Sequence, residues 1–162
     1  MLLTVSRLLL CYPLLRLLES FTDNVIRATI DEPAIGGMVW CELAGGTTTH
    51  SGIYVGHQRI VHLSGSGDVL LSNRYDFLNR LEGYNTALSL YTDCYGTHPV
   101  GNTNAAKRAL SQVGTHRRYH LLNNNCHRFT AECVTGKINP GVFLHRHLSA
   151  LQRGNDWRVW EK

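Results

Sequence analysis

Two short β-rich runs lie in residues 50–63, whose sequence is HSGIYVGHQRIVHL. Isoleucine, valine and tyrosine on both sides of a glycine-containing turn are typical of a β-hairpin, so we predict strands at 50–55 and 59–63. His50 begins the first strand, and His62 lies twelve residues later near the end of the second. The chemistry predicted for this chain depends on whether these two histidines share one face of the hairpin.

The length of the turn decides which residues pair across the hairpin. A two- or four-residue turn pairs His62 with Ile53 and directs His50 to the opposite face, because side chains alternate along a strand. A three-residue turn pairs His62 with Gly52 and leaves His50 on the same face, at a diagonal backbone distance of about 7–8 Å. Gly56 tolerates a positive φ, which favours this second arrangement. We therefore predict an odd-length or bulged turn.

Cys126 lies in the first turn of a predicted helix, for which Asn123 or Asn124 is the expected N-cap. Gly136 is expected to end this helix in the left-handed conformation. Unpaired N–H groups and the helix dipole at the N-terminal end both lower a thiol pKa and favour the reactive thiolate. Cys133 has apolar neighbours on the same helix, and we predict that it lies in the core.

Two histidines on one sheet face and a cysteine at a helix start suit nucleophilic catalysis, in which one histidine takes the thiol proton and a third group orients that histidine. Two other interpretations remain open on this evidence. The histidines could be unrelated surface residues. Alternatively, His50, His62 and Cys126 could bind zinc, although a fourth ligand and the usual short spacings are not evident.

Composition narrows the class of protein. The chain has 162 residues, 43% of them hydrophobic, which indicates one domain with a core of its own. The formal net charge is +4 and no block of five Lys or Arg occurs, so nucleic-acid binding is not favoured. The five cysteines form no CxxC motif, which argues against a disulfide framework and favours a reducing compartment. We therefore predict a cytoplasmic location.

The two ends of the chain are predicted to be helical. Residues 1–32 form an apolar arm that either packs on the domain or lies in a membrane interface. Pro13 and Arg16 interrupt its apolar run, so we predict no membrane span. Residues 141–162 form a C-terminal helical extension, and His145 is expected on its surface.

The catalytic domain is predicted to occupy residues 33–140. Its first strand follows a turn within residues 35–43. Residues 69–95 are expected to hold one or two further strands with an irregular connection. A helix is predicted over residues 105–113, capped by the residue at 103 or 104.

Three segments of the chain resemble the lecithin:retinol acyltransferase-like (LRAT) family, which includes phospholipid acyltransferases and phospholipases. HSGIYVG at 50–56 and IVHL at 60–63 are similar to the family's H-x-x-I-Y-V-G and V-H-L box, with the same twelve-residue step. YHLLNNNC at 119–126 is similar to the family's Y-N-L-L-x-N-N-C stretch. Residues 105–114 are similar to the R-A-x-x-x-x-G helix that precedes it.

This resemblance implies an α+β fold of the circularly permuted papain-like (NlpC/P60) type, with a small antiparallel sheet packed against the cysteine-bearing helix. It makes Cys126 the nucleophile, His50 the general base and His62 the orienting residue. The implied activity is transfer or hydrolysis of a glycerophospholipid acyl group through an acyl-thioester on Cys126. No cofactor and no metal are implied. The implied partner is a phospholipid or another acyl donor, with peripheral membrane contact.

The chain departs from the family beside the nucleophile, where the family's N-C-E-H-F is NCHRF at residues 125–129. A cation in place of an acid should favour the thiolate and anionic substrate groups. We predict that Tyr54, Asn125 and His127 bind substrate. Two alternative functions remain open: a cysteine peptidase or amidase of the NlpC/P60 type, and a non-catalytic, membrane-associated binding module.

Overall fold

A computed structural model describes residues 29–43, 46–79, 89–120, 124–138 and 141–161. The predictions for the apolar arm fall almost entirely outside these residues. Within them, no helix combines the length and the apolar character that crossing a bilayer requires.

Antiparallel pairing joins the seven strands of the described residues into one sheet. The strands are β1 (Met38–Leu43), β2 (Thr48–Gly56), β3 (Arg59–Leu63), β4 (Val69–Asn73), β5 (Leu90–Tyr95), β6 (His98–Pro99) and β7 (Asp156–Trp160). Their spatial order is β4-β3-β2-β1-β5-β6, and β7 also pairs with β5. With the helices packed against it, this sheet makes the fold α+β, as predicted.

The β2–β3 hairpin contains the bulge that the sequence predicts. Tyr54 pairs with Ile60, but the next pair joins Gly56 to Arg59, so one residue of β2 is left over. The two turn residues between the strands have φ values of 52° and 54°, the left-handed conformation of type I′ hairpin turns. The register before the bulge is the one that places both predicted histidines on the same face.

The helices of the described residues are α1 (Arg74–Leu78), α2 (Thr103–Leu110), α3 (Cys126–Thr135) and α4 (His145–Ser149). Helix α1 was not predicted; it begins where Asn73, the last residue of β4, accepts a hydrogen bond from the N–H of Asp76. That local cap converts the expected irregular connection into a helical turn.

Asparagines cap the two longer helices. Asn102 caps α2 and Asn125 caps α3, and in each case the side-chain oxygen accepts a backbone N–H of the first turn. In both cases even the nearer of the two predicted positions was wrong by one residue, because the backbone is extended at Asn102 and Asn125 and the side chain of each accepts an N–H of the helix that follows. The predicted end of α3 is confirmed, since Gly136 has a φ of 72°.

The sheet is buried on both faces, because residues alternate between two clusters along β2 and β3. Ile53 and Val61 belong to a cluster with Phe129 of α3, and we call this side the α3 face. Ile60 belongs to a cluster with Phe77 of α1 on the opposite side, the α1 face. Neighbouring residues of one strand therefore pack into different hydrophobic cores, one on each face of the sheet.

The predicted C-terminal helical extension is only partly correct. Helix α4 is helical, but residues 156–160 form β7 and pair with β5 along its length. Trp160 is buried on the α1 face, and Ile30 forms a parallel bridge to it. Pairing with β5 satisfies backbone groups that a short exposed helix would leave to water, and this accounts for the strand.

Candidate active site

Cys126 is the first residue of α3 and is 3% exposed, so its predicted position at a helix start is confirmed. The Asn125 side chain forms two hydrogen bonds that fix this end of the helix. Its Oδ1 accepts the N–H of Arg128 at 3.1 Å, and its Nδ2 donates to the carbonyl of Phe143 at 2.8 Å. The first N–H groups of a helix have no partner inside it, so this end favours negative charge near the thiol.

The thiol of Cys126 lies beside β2. Its Sγ is 4.0 Å from the carbonyl oxygen of Thr49. That oxygen belongs to the peptide unit that leads into His50, so the Sγ lies within about 7 Å of the His50 Cα. The backbone N–H and C=O of Tyr54 point to the β1 side of β2, as its hydrogen bond to Gly37 shows. Backbone groups alternate in direction along a strand, so the odd-numbered residues of β2, including Thr49, direct their carbonyls toward the β3 side. Cys126 therefore approaches β2 at that edge.

His50 and His62 meet on the α1 face, and both are almost fully buried. Their ring centroids are 5.1 Å apart and the rings are nearly perpendicular. Phe77 packs against both rings, with centroid distances of 4.8 Å and 5.2 Å. The Nε2 of His62 lies 2.8 Å from the Oγ of Ser72, and this hydrogen bond orients the ring.

The three predicted catalytic residues thus gather at one end of β2. The imidazoles project to the α1 face while α3 packs on the other, so a contact between the thiol and an imidazole is expected only at the edge of β2. Sequence reasoning missed Phe77 and Ser72, because nothing local marks either of them as a neighbour of a histidine.

A cavity of about 420 Å³ opens at Cys126 and has the size of a small-molecule site. It is lined by Gly46, Thr47, Thr48, Thr49, Tyr119, Asn125, Cys126, His127, Phe143, Leu144, His145 and Arg146. The lining combines threonine hydroxyls with the apolar surfaces of Tyr119, Phe143 and Leu144. Two predicted substrate-binding residues, Asn125 and His127, line this cavity.

His127 is not the cation that the sequence led us to expect. Burial, and secondarily the charge of His145, lower the pKa of His127 to about 4, so its imidazole is neutral at pH 7. The next residue, Arg128, forms an ion pair with Glu132 at 3.0 Å. His127 therefore does not favour the thiolate through charge.

His145 was predicted on the surface, whereas the structure leaves it half-buried. Its ring centroid lies 4.0 Å from that of Trp40 and 6.2 Å from that of His127. Burial lowers the pKa of His145 to about 4. Trp40 and Trp157 both pack against this ring and account for its partial burial.

Tyr54 lies on the His50 face of β2, as alternation predicts, but it is 1% exposed within the α1-face core. Its hydroxyl donates to the carboxylate of Glu32 and accepts the N–H of Gln58 at 3.2 Å. Burial raises the pKa of Tyr54 to about 12. Its role in substrate binding stays a prediction.

We expect Gly52→Ala to destabilise the domain and to displace His62. A Cβ at Gly52 would lie 2.7 Å from the carbonyl oxygen of Val61 and 3.1 Å from the Cβ of His62, whereas a Cβ at Gly65 meets nothing within 4 Å. Overpacking of this kind costs about 1–3 kcal/mol. Urea denaturation of Gly52→Ala and of the control Gly65→Ala measures the difference, and equal stability of the two variants would contradict the expectation.

An antiparallel sheet with paired histidines, packed on a helix that begins with a cysteine, defines the chain as a Cys–His α+β domain. A family model described as lecithin retinol acyltransferase matches residues 32–139, and the chain belongs to this family. Family membership associates the chain with acyltransferase- or phospholipase-type activity. Among curated proteins, none matches the chain. Among the described residues, no three His, Cys, Asp or Glu side chains gather in a way that would hold a metal ion.

Proposed function

We propose that the chain is a thiol-dependent acyltransferase or hydrolase that acts on acyl esters of glycerophospholipids. The observation that carries this proposal is the position of Cys126: first in α3, beside the backbone of His50 and at the opening of a cavity. A thiol at a helix start with a nearby histidine is the arrangement that nucleophilic catalysis needs.

In the proposed reaction, His50 takes the thiol proton and the Sγ of Cys126 attacks the ester carbonyl carbon. The carbonyl oxygen becomes an oxyanion, which the N–H groups at the start of α3 can stabilise. Cleavage of the ester C–O bond releases a lysophospholipid, whose oxygen takes the proton from His50. Water or an acceptor then attacks the thioester, and its proton passes through His50 to the thiol. His62 orients His50 throughout.

The cavity walls support a lipid rather than a peptide substrate. Tyr119, Phe143 and Leu144 supply an apolar wall, which suits an acyl chain. Arg146 is an exposed cation on the same cavity, and a guanidinium binds a phosphate group well.

Intact-protein mass spectrometry after incubation with phosphatidylcholine micelles tests the proposal. We expect a fatty-acyl adduct on the wild type and on Cys133→Ala, but not on Cys126→Ala. Cys133 is a matched control, because it lies on the same helix and burial raises its thiol pKa to about 12. An adduct that survives in Cys126→Ala would refute the assignment of the nucleophile.

If the wild type forms no adduct and releases no lysophospholipid, phosphatidylcholine is excluded as the acyl donor and the proposed function is refuted for this substrate. Labelling with a thiol-directed alkylator near neutral pH then separates the alternatives. Fast labelling that is selective for Cys126 would support a peptidase or amidase. Labelling of Cys126 no faster than that of the other cysteines would support a non-catalytic binding module.

A further inference from the structure

A chain of hydrogen bonds, buried except at Thr49, connects the residue after Cys126 to the residues on both sides of His50. The Nε2 of His127 lies 2.9 Å from the Oγ1 of Thr49, and its Nδ1 lies 2.8 Å from the Oγ of Ser51. His127 and Ser51 are almost fully buried. The side chain of His127 thus bridges the start of α3 to β2 at the two positions that flank the predicted base.

The chain continues from β2 back to the nucleophile. The Oγ of Ser51 lies 3.0 Å from the Oγ1 of Thr130, and the Thr130 hydroxyl donates to the carbonyl of Cys126 at 2.9 Å. Ser51 is therefore the residue of β2 that contacts both His127 and Thr130 of α3.

The direction of each hydrogen bond follows from the number of protons available. Thr130 has one hydroxyl proton, which goes to the carbonyl of Cys126, so Thr130 accepts the proton of Ser51. Ser51 in turn has to accept from the Nδ1–H of His127, which leaves the Nε2 to accept from Thr49. A neutral imidazole protonated on Nδ1 satisfies every member of the chain.

We propose that His127, as the neutral Nδ1–H tautomer, is a positioning residue that holds the Cys126 thiol against β2 at His50. It acts through Ser51 and Thr49 rather than through contact with the substrate. The lowered pKa of His127, caused first by burial, keeps the imidazole in the neutral state that this arrangement needs. Displacement of a reacting group by about 1 Å can reduce a rate about 10²-fold, so the fastening of α3 to β2 is expected to affect turnover.

The first test compares variants kinetically and rests on the proposed function. We expect His127→Ala to lower kcat by about 10- to 100-fold with little change in KM. His127→Asn should recover part of the loss, because its amide N–H can still donate to Ser51. The kcat of the double variant His127→Ala/Ser51→Ala should be no lower than that of His127→Ala alone, since both replacements break the same chain of hydrogen bonds.

The second test does not depend on any substrate. The rate of alkylation of Cys126 by iodoacetamide should fall severalfold in His127→Ala and partly recover in His127→Asn. Thr135→Val is the matched control, because Thr135 also donates to a carbonyl one turn earlier in α3 but lies at the far end of the helix. Wild-type reactivity in Thr135→Val and reduced reactivity in Thr130→Val would support the positioning role.

Three results would overturn the proposal. A rise in KM with unchanged kcat would make His127 a substrate-binding residue instead. A loss of kcat that merely matches the loss of folded protein would leave only a structural role. Nitrogen-15 NMR signals of an Nε2–H or a doubly protonated ring at pH 7 would contradict the assigned tautomer. Failure of the lipid assay alone would refute the proposed function, whereas the alkylation and NMR results would still decide the role of His127.

Discussion

Replacement of His50 by asparagine is expected to lower the rate of acyl transfer about 10²–10⁴-fold, the usual contribution of a general base. The physical reason is that the thiol of Cys126 lies near the His50 backbone, and the amide in the His50→Asn variant cannot take the thiol proton near neutral pH. Single-turnover acylation with phosphatidylcholine measures the effect directly, because it isolates the step in which the thiol attacks.

The matched control for this variant is His57→Asn. His57 is exposed on the hairpin turn at a φ of 52°, a conformation that asparagine tolerates well. It lies at the opposite end of β2 from His50, so turnover should stay at the wild-type level. Activity of His50→Asn within a fewfold of that of His57→Asn would show that His50 is not the base.

The free energy of unfolding is expected to fall as the pH drops from about 6.5 to about 4. His127 has a folded pKa of about 4, below the ordinary histidine value of 6.5, because burial opposes its charged form. As the pH falls, the unfolded chain therefore takes up a proton on His127 before the folded chain does. The contribution of the neutral imidazole to the free energy of unfolding is complete above pH 6.5 and is lost as the pH falls toward 4. The difference in pKa corresponds to about 3 kcal/mol for this one residue.

Other buried groups also make the free energy of unfolding depend on pH. His145, which is only half-buried, has a pKa shifted in the same direction, so its smaller contribution has the same sign. Burial raises the pKa of Asp93, and this group adds stability as the pH falls. The measurement is therefore urea denaturation of wild type and His127→Asn at several pH values. The free energy of unfolding of His127→Asn should fall less steeply in acid than that of the wild type. Parallel curves for the two proteins would show that His127 is not the source of the loss.

The features that could be predicted from the sequence are those that local interactions determine. The hairpin follows from the alternation of residues around Gly56, whose tolerance of a positive φ led to the bulged register that the structure shows. The start of α3 follows from a run of asparagines before Cys126, and its end follows from Gly136. Each of these signals acts over a few residues of chain, so no knowledge of distant contacts was needed.

The surroundings of the site could not be predicted in this way. Phe77 packs against both His50 and His62 because α1 lies across β3 and β4, and no local pattern indicates that contact. His145 lies in the cavity wall because Trp40, more than a hundred residues earlier, provides the surface on which its ring packs. Strand β7 exists as a strand because β5 offers it hydrogen-bonding partners.

The charge of His127 illustrates the same division. Residue type alone indicates a cation beside Cys126, whereas the structure surrounds the ring with Thr49, Ser51 and the protein interior and so keeps it neutral. Strand alternation and helix capping depend on neighbouring residues, and they place the cysteine and the two histidines on their helix and strands. Burial and electrostatic environment depend on residues that come into contact only after folding. The tertiary structure alone therefore decides how those elements meet and in which protonation state their side chains are.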